Sequence, residues 1–366
     1  MNSRLKHILR ISNTASVLSS LMAIVVGLLA GFIVLLISNP SQALGAFGAI
    51  LTGGVSDMKN LGQVLYTATP ILMTGLSVGF ASRTGLFNIG APGQFIAGAY
   101  CAVLVGVKCA PFLPGPLLCI TALLAALAAG ALWGSVPGIL KAYRNVNEVI
   151  SCIMMNYIGV YFVNFLIVRT VFDSLKNQSM RVASNANMPK LGFDQIFRVD
   201  NTISSANSGI ILAIIMAVVI YIILEKTQLG FELKACGFNK DAARYAGISE
   251  KRSIITSMLI AGAMAGLGGA LLYLAGSGKG IDVLDVLPNE GFNGIPVALL
   301  AVNNPIGIVF SALFLAYLNI GGFSMQLFEY PPQIIDIIIS IIIYFSAFAL
   351  LLKGFVTSVT GRGASE

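Results

Sequence analysis

Long apolar runs alternate with short polar segments along the whole chain. Ten runs are candidate spans, at about 17–37, 62–81, 86–107, 115–138, 149–168, 208–224, 253–276, 291–302, 306–323 and 333–352. Most are unbroken for about 20 residues, the length at which an α-helix crosses the hydrocarbon core of a bilayer. Strands of a membrane barrel would instead alternate apolar and polar residues over about ten positions. The pattern therefore predicts an all-α polytopic membrane protein with about ten transmembrane helices.

The composition agrees with this class. Apolar residues make up 57% of the 366 positions and charged residues 10%, whereas soluble domains contain about 25% charged residues. The net charge of +7 gives no reason to expect nucleic acid as a partner, because excess Lys and Arg in a membrane protein mainly set its topology. The five cysteines have no CxxC or metal-ligand spacing, so we expect neither a disulfide framework nor redox chemistry.

Basic residues give the chain a predicted orientation. Residues 1–16 form a basic tail that we expect in the cytoplasm, before an uncleaved first span; a signal peptide is the alternative, although its apolar region is only about 7–15 residues long. We expect 17–352 to form one transmembrane domain. Alternation places Arg83, 141–144, the 226–252 loop and a second tail at 353–366 in the cytoplasm, as the positive-inside rule favours. It places 282–290 and the 169–200 loop outside, although that loop carries five basic and three acidic residues.

Some segments are too short to span or are interrupted. Ala43–Thr52 is apolar but short, so we expect a re-entrant or interfacial segment. The run at 291–302 is also short and is bracketed by Pro and Gly, and a broken helix at membrane depth must be covered by protein or line a water-filled cavity. GxxxG spacings, such as Gly130/Gly134 and Gly262/Gly266, predict close packing between helices.

One motif occurs twice. Asn88–Gly93 and Asn289–Gly294 share the pattern N-x-G-x-x-G and open the third and eighth predicted spans. Because the two spans are five apart in order, an odd offset, the two copies lie at opposite ends of their spans. That is expected for an inverted repeat, in which discontinuous helices meet near the membrane midplane and form a transport pathway. The alternative is coincidence in a chain with 39 glycines.

The polar segment at 226–252 separates two apolar runs and carries six basic and three acidic residues. Its central stretch, Gly230–Gly247, is rich in small residues, which would let a soluble partner approach the backbone. Asn239 or Asp241 is expected to cap a short helix that Gly247 ends. The candidate docking residues are Gly237, Asp241, Ala242, Ala243, Arg244, Tyr245, Ala246 and Gly247. An ordinary cytoplasmic loop held inside by its charge is the alternative.

Polar residues within or beside the apolar runs are the second group of candidates. Such residues are costly in lipid and are expected to face the interior of the helix bundle. The candidates for lining a solute path are Asn88, Gln94, Asn156, Asn164, Asn289, Glu290 and Asn293. Because most of these are neutral amides, they suit an uncharged polar solute better than an ion. The alternative is that they form hydrogen bonds between helices.

No enzymatic site is recognisable in the sequence. The stretch Gly276–Gly280 resembles part of a P-loop, but Tyr273 stands where the motif needs Gly, and Gly280 where it needs Ser or Thr. His7 is the only histidine and lies in the basic tail, so we expect neither a His-based triad nor a zinc site. We therefore expect that this chain needs no cofactor and is not an enzyme.

Four stretches together resemble the permease subunits of bacterial nucleoside ABC importers, within the wider ribose and branched-chain amino-acid permease family. They are GLFNIGAPGQ at 85–94, NEVISCIMMNY at 147–157, KDAARYAG at 240–247 and NEGFNGIPVALL at 289–300. The resemblance covers about 60–325 and is greatest to the longer of the two permeases in systems served by basic-membrane-lipoprotein substrate-binding proteins. Two residues depart from the family pattern: Pro92 replaces a usual acidic residue and Cys152 a common hydroxyl residue, which bears on substrate identity.

The resemblance implies a multi-pass subunit of the bacterial plasma membrane that translocates nucleosides delivered by a substrate-binding lipoprotein. It implies, besides membrane lipid, an ABC ATPase subunit and usually a second, different permease that completes a heterodimer. By analogy, the 230–247 stretch would be the coupling helix. A permease for a simple sugar such as ribose remains an alternative. So does a secondary transporter of a neutral polar solute, which would normally need an ion or proton site in the membrane.

Overall fold

The computed structural model describes Met22 and residues 24–200, 202–331 and 333–347. Both predicted tails, at 1–16 and 353–366, lie outside these described residues. So do residues 17–21 and 23 at the start of the first predicted span. The chain forms two compact units. The larger is Asp57–Ala316, and the smaller combines the residues before 57 with those after 316.

Helices make up most of both units. In chain order they are α1 (Ile24–Ser38), α2 (Ala43–Gly53), α3 (Met58–Arg83), α4 (Ala91–Lys108), α5 (Gly115–Arg144), α6 (Glu148–Thr170), α7 (Phe193–Ile196), α8 (Gly209–Lys226), α9 (Gln228–Phe238), α10 (Lys240–Tyr245), α11 (Glu250–Tyr273), α12 (Asn289–Phe292), α13 (Gly294–Leu300), α14 (Pro305–Ser324) and α15 (Gln333–Ala347). Two 3₁₀ turns are Ser184–Ala186 and Met325–Phe328. Two antiparallel hairpins pair β1 (Phe172–Asp173) with β2 (Gln178–Ser179), and β3 (Arg198–Val199) with β4 (Thr202–Ile203).

Seven helices in the described part of the chain are long and apolar enough to cross a membrane: α3, α4, α5, α6, α8, α11, and α14 with the 3₁₀ turn that follows it. This confirms the prediction of an all-α polytopic membrane protein, but it does not confirm the count of ten. The run at 291–302 forms α12 and α13, of four and seven residues, which are too short to span. The described part of α15 has 15 residues.

The centre of the larger unit is formed by α3 and α11. In the most apolar stretch of α3, 89% of the residues are buried, and in that of α11, 78%. The corresponding share in α8 is 33%. Helix α11 packs against α3, α4 and α5, and α6 packs against α4. The outward faces of α5 and α8 carry aliphatic side chains such as Leu124, Leu132 and Ile215. Such faces suit contact with lipid tails, which are as apolar as leucine.

Glycines bring α4 and α5 into backbone contact with α11. A Cβ added at Gly130 of α5 would clash with the carbonyl oxygen of Gly262 and with Gly266 on α11. One added at Gly98 of α4 would also clash with Gly266. The GxxxG spacings at Gly130/Gly134 and Gly262/Gly266 are therefore confirmed as close-packing surfaces, because any larger residue would hold the helices apart.

Three basic segments that the charge pattern assigned to one side lie together at one end of the larger unit, which we call the α10 end: Arg83, 141–144 and the 226–252 loop. Arg83 pairs with Glu225 of α8 (2.8 Å), and Glu225 also pairs with Lys234 of α9 (3.0 Å). Lys141, near the end of α5, lines the same cavity as Lys240 of α10. The predicted grouping of these segments is thus confirmed.

The 169–200 loop lies at the opposite end. Gly62, near the start of α3, packs against Ser204 just beyond this loop. The Ser179 N–H donates to the Ile281 carbonyl (2.8 Å), so the loop is also joined to the segment after α11. The loop contains the β1–β2 hairpin, and the β3–β4 hairpin begins at its end, so the loop is structured. The sequence had already placed it on the side away from the 226–252 segment.

In the smaller unit, α1 packs against α15, where Gly31 contacts Ile338. The Tyr330 hydroxyl donates to the Leu35 carbonyl (3.0 Å) and so ties the start of α15 to the end of α1. The stretch predicted to be too short to span, Ala43–Thr52, forms the 11-residue helix α2. It packs against the 3₁₀ turn after α14.

Candidate functional site

Two buried amides form a reciprocal pair at the start of α4. The Asn88 Nδ2 donates to Gln94 Oε1 (2.8 Å), and Gln94 Nε2 donates back to Asn88 Oδ1 (3.0 Å). Asn88 also donates to Ser77 Oγ on α3 (2.9 Å) and accepts from the Gly90 N–H (3.2 Å). Asn88 is 0% exposed and Gln94 1%. The pair therefore joins the loop at 84–90 to α3 and α4.

Asn156 of α6 ties the same loop to a third helix. Its Oδ1 accepts from the Gly93 N–H (2.9 Å), a donor that the first turn of α4 leaves unpaired. Its Nδ2 donates to the Ile89 carbonyl (3.0 Å). We call Asn88, Gln94 and Asn156 the amide lock. All three are buried and hydrogen-bonded in this conformation, which favours the interpretation that they connect helices.

The two N-x-G-x-x-G motifs meet inside the larger unit. Gly291 packs on Pro92 so closely that an added Cβ would lie 2.5 Å from the Pro92 Cα. Thr74 of α3 donates from Oγ1 to the Glu290 carbonyl (2.9 Å). Because Thr74 comes nine residues before Arg83, where α3 ends, it lies about 14 Å from that end along the axis. The motifs therefore meet within the length of α3, away from either end.

The helices that the motifs open run in opposite directions from this meeting point. Helix α4 leads to the loop-covered end, where the Ala183 N–H donates to the Gly106 carbonyl (3.4 Å). Helices α12 and α13 lead toward Asn303, which lines a cavity with Arg83 at the α10 end. Discontinuous helices that meet in this way are the arrangement that an inverted repeat would give.

The other residues predicted to line a path lie apart from the amide lock. Asn289 is exposed, and Glu290 and Asn293 are half-buried on and just after α12. They are near the lock only through the contact between Gly291 and Pro92. The two copies of the motif therefore place their first asparagine in different surroundings, one fully buried and one exposed.

Asn164 of α6 belongs to a separate cavity of about 590 Å³. Its Nδ2 donates to the Leu284 carbonyl (3.0 Å) and to Asp285 Oδ1 (3.1 Å), which holds the segment before α12 against α6. The Asn164 Oδ1 is buried without a hydrogen-bond partner. Arg169, one and a half turns further along α6, lines the same cavity and lies over the ring of Phe165, 4.8 Å from its centroid.

The predicted short helix in the polar segment is α10. Asn239 is its cap, and its Oδ1 accepts from the N–H groups of Asp241 (3.1 Å) and Ala242 (3.0 Å). Asp241, the other predicted cap, lies in the first turn, where its charge favours the positive end of the helix dipole. Gly247 follows with φ of +83°, a left-handed conformation that favours glycine. The start and the end of this helix were therefore predicted correctly.

The outward face of α10 is exposed. Ala242, Arg244 and Ala246 are exposed, and Tyr245 is 96% exposed. Ala243 is the exception at 4%, so it faces its own chain, and its inclusion in a docking face was wrong. The reason is the rotation of about 100° per residue in an α-helix, which puts Ala242 and Ala246 on one face and turns Ala243 away from it.

Helix α9 joins α10 to the loop that carries the amide lock. A Cβ added at Gly237 would lie 2.5 Å from the carbonyl carbon of Thr84, and one added at Gly85 would lie 2.5 Å from the Gly237 Cα. Gly237 was predicted as a docking residue, but its Cα packs against this loop of its own chain. Because the same loop continues to Asn88, the contact of α9 with Thr84 and Gly85 lies only a few residues along the backbone from the amide lock.

A cavity of about 420 Å³ lies between α9, α10 and the start of α11, with polar side chains such as Asn145, Glu250 and Ser257 in its walls. Cys236 also lines it. Burial raises the pKa of the Cys236 thiol, and the negative charge of Glu250 raises it further. The thiol is therefore protonated near neutral pH and a poor nucleophile.

Sequence reasoning missed the residues that hold these parts together from α3 and α8. Ser77 and Thr74 reach the two motifs, and Glu225 bridges Arg83 and Lys234. Thr74 also bonds the Pro70 carbonyl of its own helix (3.2 Å). Ser and Thr in apolar helices commonly bond the preceding turn, so the sequence carried no signal that these two reach another segment.

Comparison with known proteins adds relatives of stated activity. The model of the family described as the branched-chain amino acid transport system / permease component matches residues 60–347. The chain is 38% identical over 358 residues to the guanosine ABC transporter permease protein NupP of Bacillus subtilis, which covers 97% of this chain and 100% of that protein. A second guanosine ABC transporter permease protein of the same bacterium is 27% identical over 288 residues, 74% of this chain and 84% of that protein.

Two further relatives differ in the solute that their names state. The nucleoside ABC transporter permease protein NupB of Lactococcus lactis is 36% identical over 360 residues, 97% of each chain. The glucose ABC transporter permease protein TsgB13 of Haloferax volcanii is 33% identical over 337 residues, 90% of this chain and 85% of that protein. No solved structure matches the chain significantly.

Proposed function

We propose that this chain, which belongs to the family of permease components of the branched-chain amino acid transport system type, is the membrane subunit of an ATP-driven importer of nucleosides. As a permease subunit it is a transporter component and not itself an enzyme. The observation that carries the choice of solute is the 38% identity to a guanosine permease along 97% of this chain. Glucose is the second candidate, because a glucose permease is 33% identical over 90% of the chain.

In this proposal the exposed face of α10 receives a separate ABC ATPase subunit. Its support is that Ala242 and Ala246 present small side chains on one face, beside the nearly fully exposed Tyr245. Phe238, which ends α9 next to this face, is 87% exposed. Aromatic residues are enriched in protein interfaces, and these two rings are largely uncovered by the described part of the chain.

Movement of the ATPase would reach the membrane helices through α9. Gly237 and Gly85 cannot move far relative to each other, since each glycine lies against the other's backbone. The loop that starts at Gly85 ends in the amide lock, which in turn lies beside the meeting point of α4 and α12. A closed lock at this point would keep the solute path shut until the ATPase displaces α9 and α10.

The other partners follow from the family. A second, different permease would complete a heterodimer, in agreement with the two guanosine permease proteins of Bacillus subtilis that this chain resembles. A substrate-binding lipoprotein would deliver the nucleoside to the end covered by the 169–200 loop. We place the α10 end in the cytoplasm of a bacterial cell, with the chain in the plasma membrane, because the α10 end carries Arg83, Lys141 and Lys240.

Uptake of a labelled solute panel tests the proposed function. The panel contains guanosine, uridine, ribose and glucose, and the complex is assembled with and without the ATPase subunit. We expect nucleoside uptake that is lost completely when the ATPase is omitted, since no nucleotide-binding motif is recognisable in the sequence of this chain. Uptake of glucose alone would transfer the assignment to sugar. Nucleoside uptake that persists without the ATPase would indicate a secondary transporter.

Reporter fusions test the orientation. Fusions after Arg144 and Lys240 are expected to read as cytoplasmic, and fusions near Lys190 and Asp285 as external, because the structure puts the first pair at the α10 end and the second pair at the other. The measurement is the activity of a reporter that works on one side of the membrane only. A cytoplasmic signal at Lys190 would overturn the orientation.

A further inference from the structure

The outward face of helix α6 carries exposed aromatic rings together with aliphatic residues such as Ile158, whereas the outward faces of α5 and α8 are mainly aliphatic. The exposed side chains of α6 include Tyr157, Tyr161 and Phe165, which are 50%, 56% and 53% exposed. They are spaced four residues apart and lie on one side of the helix. At comparable depth, the outward faces of α5 and α8 present Leu, Ile and Val. The difference indicates that this face of α6 meets something other than lipid tails.

The tyrosine hydroxyls support this. Tyr157 and Tyr161 lie near the middle of α6, which runs from Glu148 to Thr170, and neither has a hydrogen-bond partner among the described residues. Tyrosine in membrane proteins is enriched at the two water interfaces, where its hydroxyl is hydrated. Two phenols in the middle of a span therefore favour a water-filled path on this side of the helix over lipid.

The aromatic face leads into the cavity around Asn164. Phe165, Arg169 and Asp285 line this cavity together with Asn164. Its volume of about 590 Å³ lies within the range of about 300–1,000 Å³ that is usual for small-molecule sites. Asn164 is 8% exposed, and its Oδ1 has no partner. A buried carbonyl oxygen without a hydrogen bond is unfavourable, so a bound donor would be stabilised here.

We propose that the outer half of α6 is a recognition site for the transported nucleoside. The base stacks on the aromatic face at Tyr161 and Phe165, the amide of Asn164 bonds a polar edge of the base, and the Asp285 carboxylate accepts from the ribose hydroxyls. Opening of the tether between Asn164 and Asp285 admits the solute and frees both groups for it. This inference rests on the proposed function, and it names the residues that would bind the nucleoside as it enters the permease.

The charges of the cavity agree with a neutral ligand. Arg169 and Asp285 are the charged residues in its lining, and their charges cancel. A nucleotide would bring a phosphate of about two negative charges. Arg169 is the one cation in the lining that could pair with this phosphate, and the Asp285 carboxylate would repel it. A simple sugar would fill the polar part of the cavity and leave the aromatic face of α6 without a partner.

The test uses the whole importer in proteoliposomes, with ATPase and lipoprotein, and guanosine below saturation. We expect Tyr161→Leu to lower the uptake rate about tenfold, the loss that corresponds to removing one base–aromatic stacking contact. Tyr161→Phe keeps the ring and is expected to retain uptake. Phe310→Leu makes the same kind of change at a 69% exposed ring on α14 and is expected to leave uptake unchanged. Since every variant is supplied by the same lipoprotein, a difference belongs to the permease.

Asp285→Asn tests the ribose contact. The new amide oxygen can still accept from Asn164, so the tether is kept while the carboxylate is lost. We expect the preference for guanosine over 2′,3′-dideoxyguanosine to narrow about tenfold, the effect of removing a hydrogen bond to a charged group. A preference equal to that of the unmodified chain would remove Asp285 from the site.

Photolabelling gives a readout that does not depend on transport. With 8-azidoguanosine and the purified complex, we expect labelled peptides from residues 157–169, displaced by guanosine and not by guanosine monophosphate. The site is overturned if Tyr161→Leu transports normally and no label falls on α6, or if Tyr161→Leu releases the second permease, which would make this face a subunit contact. If the unmodified complex takes up no nucleoside at all, the proposed function fails, which is a different result.

Discussion

Ala242→Arg is expected to abolish ATP-driven uptake and to release the ATPase subunit during purification. The Ala242 side chain is exposed on the outward face of α10, so a larger side chain can extend away from the described part of its own chain. If a partner lies flush against this face, the guanidinium would be buried without a counter-ion. Burial of an unpaired charge costs about 3–5 kcal/mol, which corresponds to a more than hundredfold loss of affinity.

Two controls separate this effect from a general disturbance. Ala242→Ser keeps the side chain small, and it is expected to transport and bind the ATPase like the unmodified chain. Lys251→Ala removes an exposed charge at the start of α11, where the Lys251 amine lies 4.7 Å from the centroid of the Tyr143 ring, and should have little effect. The measurements are nucleoside uptake and the amount of ATPase that co-purifies. Normal uptake with bound ATPase in Ala242→Arg would show that α10 is not the coupling element.

Asn88→Leu is expected to reduce the amount of folded protein strongly. The substitution would leave the Gln94 amide, the Ser77 hydroxyl and the Gly90 N–H without their partner in a site that is 0% exposed. Each buried polar group left unpaired costs about 1–3 kcal/mol. A total of several kcal/mol corresponds to a fall in the melting temperature on the order of 10 °C for a domain of about 250 residues.

Asn289→Leu is the matched control, because Asn289 stands at the same position of the second motif and is exposed. We expect its melting temperature to equal that of the unmodified chain within a few degrees. Both variants are compared by thermal unfolding in detergent, followed by the fraction of protein that remains monodisperse. Equal stability of the two variants would contradict the role of the amide lock in joining α3, α4 and α6.

The properties that the sequence determined are those that depend on short stretches of chain. The apolar runs predicted α3, α6, α8 and α11 to within a few residues. Helix α5 is longer than predicted, because it extends six residues further, to Arg144. A helix crosses the bilayer wherever enough apolar residues follow one another, whatever it packs against. The cap at Asn239 and the stop at Gly247 were predictable for the same reason, since both act on neighbouring backbone groups.

The grouping of the loops at the two ends of the larger unit was also contained in the sequence. The positive-inside rule counts Lys and Arg in each loop, and the chain changes side at each span. The grouping of Arg83, Lys141 and Lys240 could therefore be predicted without knowing how the helices pack. The break at 291–302 was visible as well, because Pro and Gly interrupt a helix locally. The number of full spans was harder to predict, since a short apolar run is compatible with a span and with a broken helix alike.

The tertiary structure decided which way each polar side chain faces and what it meets. The motif gives Asn88 and Asn289 the same position, two residues before a glycine, yet one is enclosed by Gln94 and Ser77, and the other is exposed. Ala243 faces its own chain for a similar reason, although its side chain is identical to that of the exposed Ala242. Burial of a side chain depends on groups from distant segments, and the contact of Gly291 with Pro92 joins residues about 200 positions apart. The apolar length of a local stretch determines whether it can form a helix in lipid. Which of its side chains are buried is set by other helices, which come together only in the folded chain.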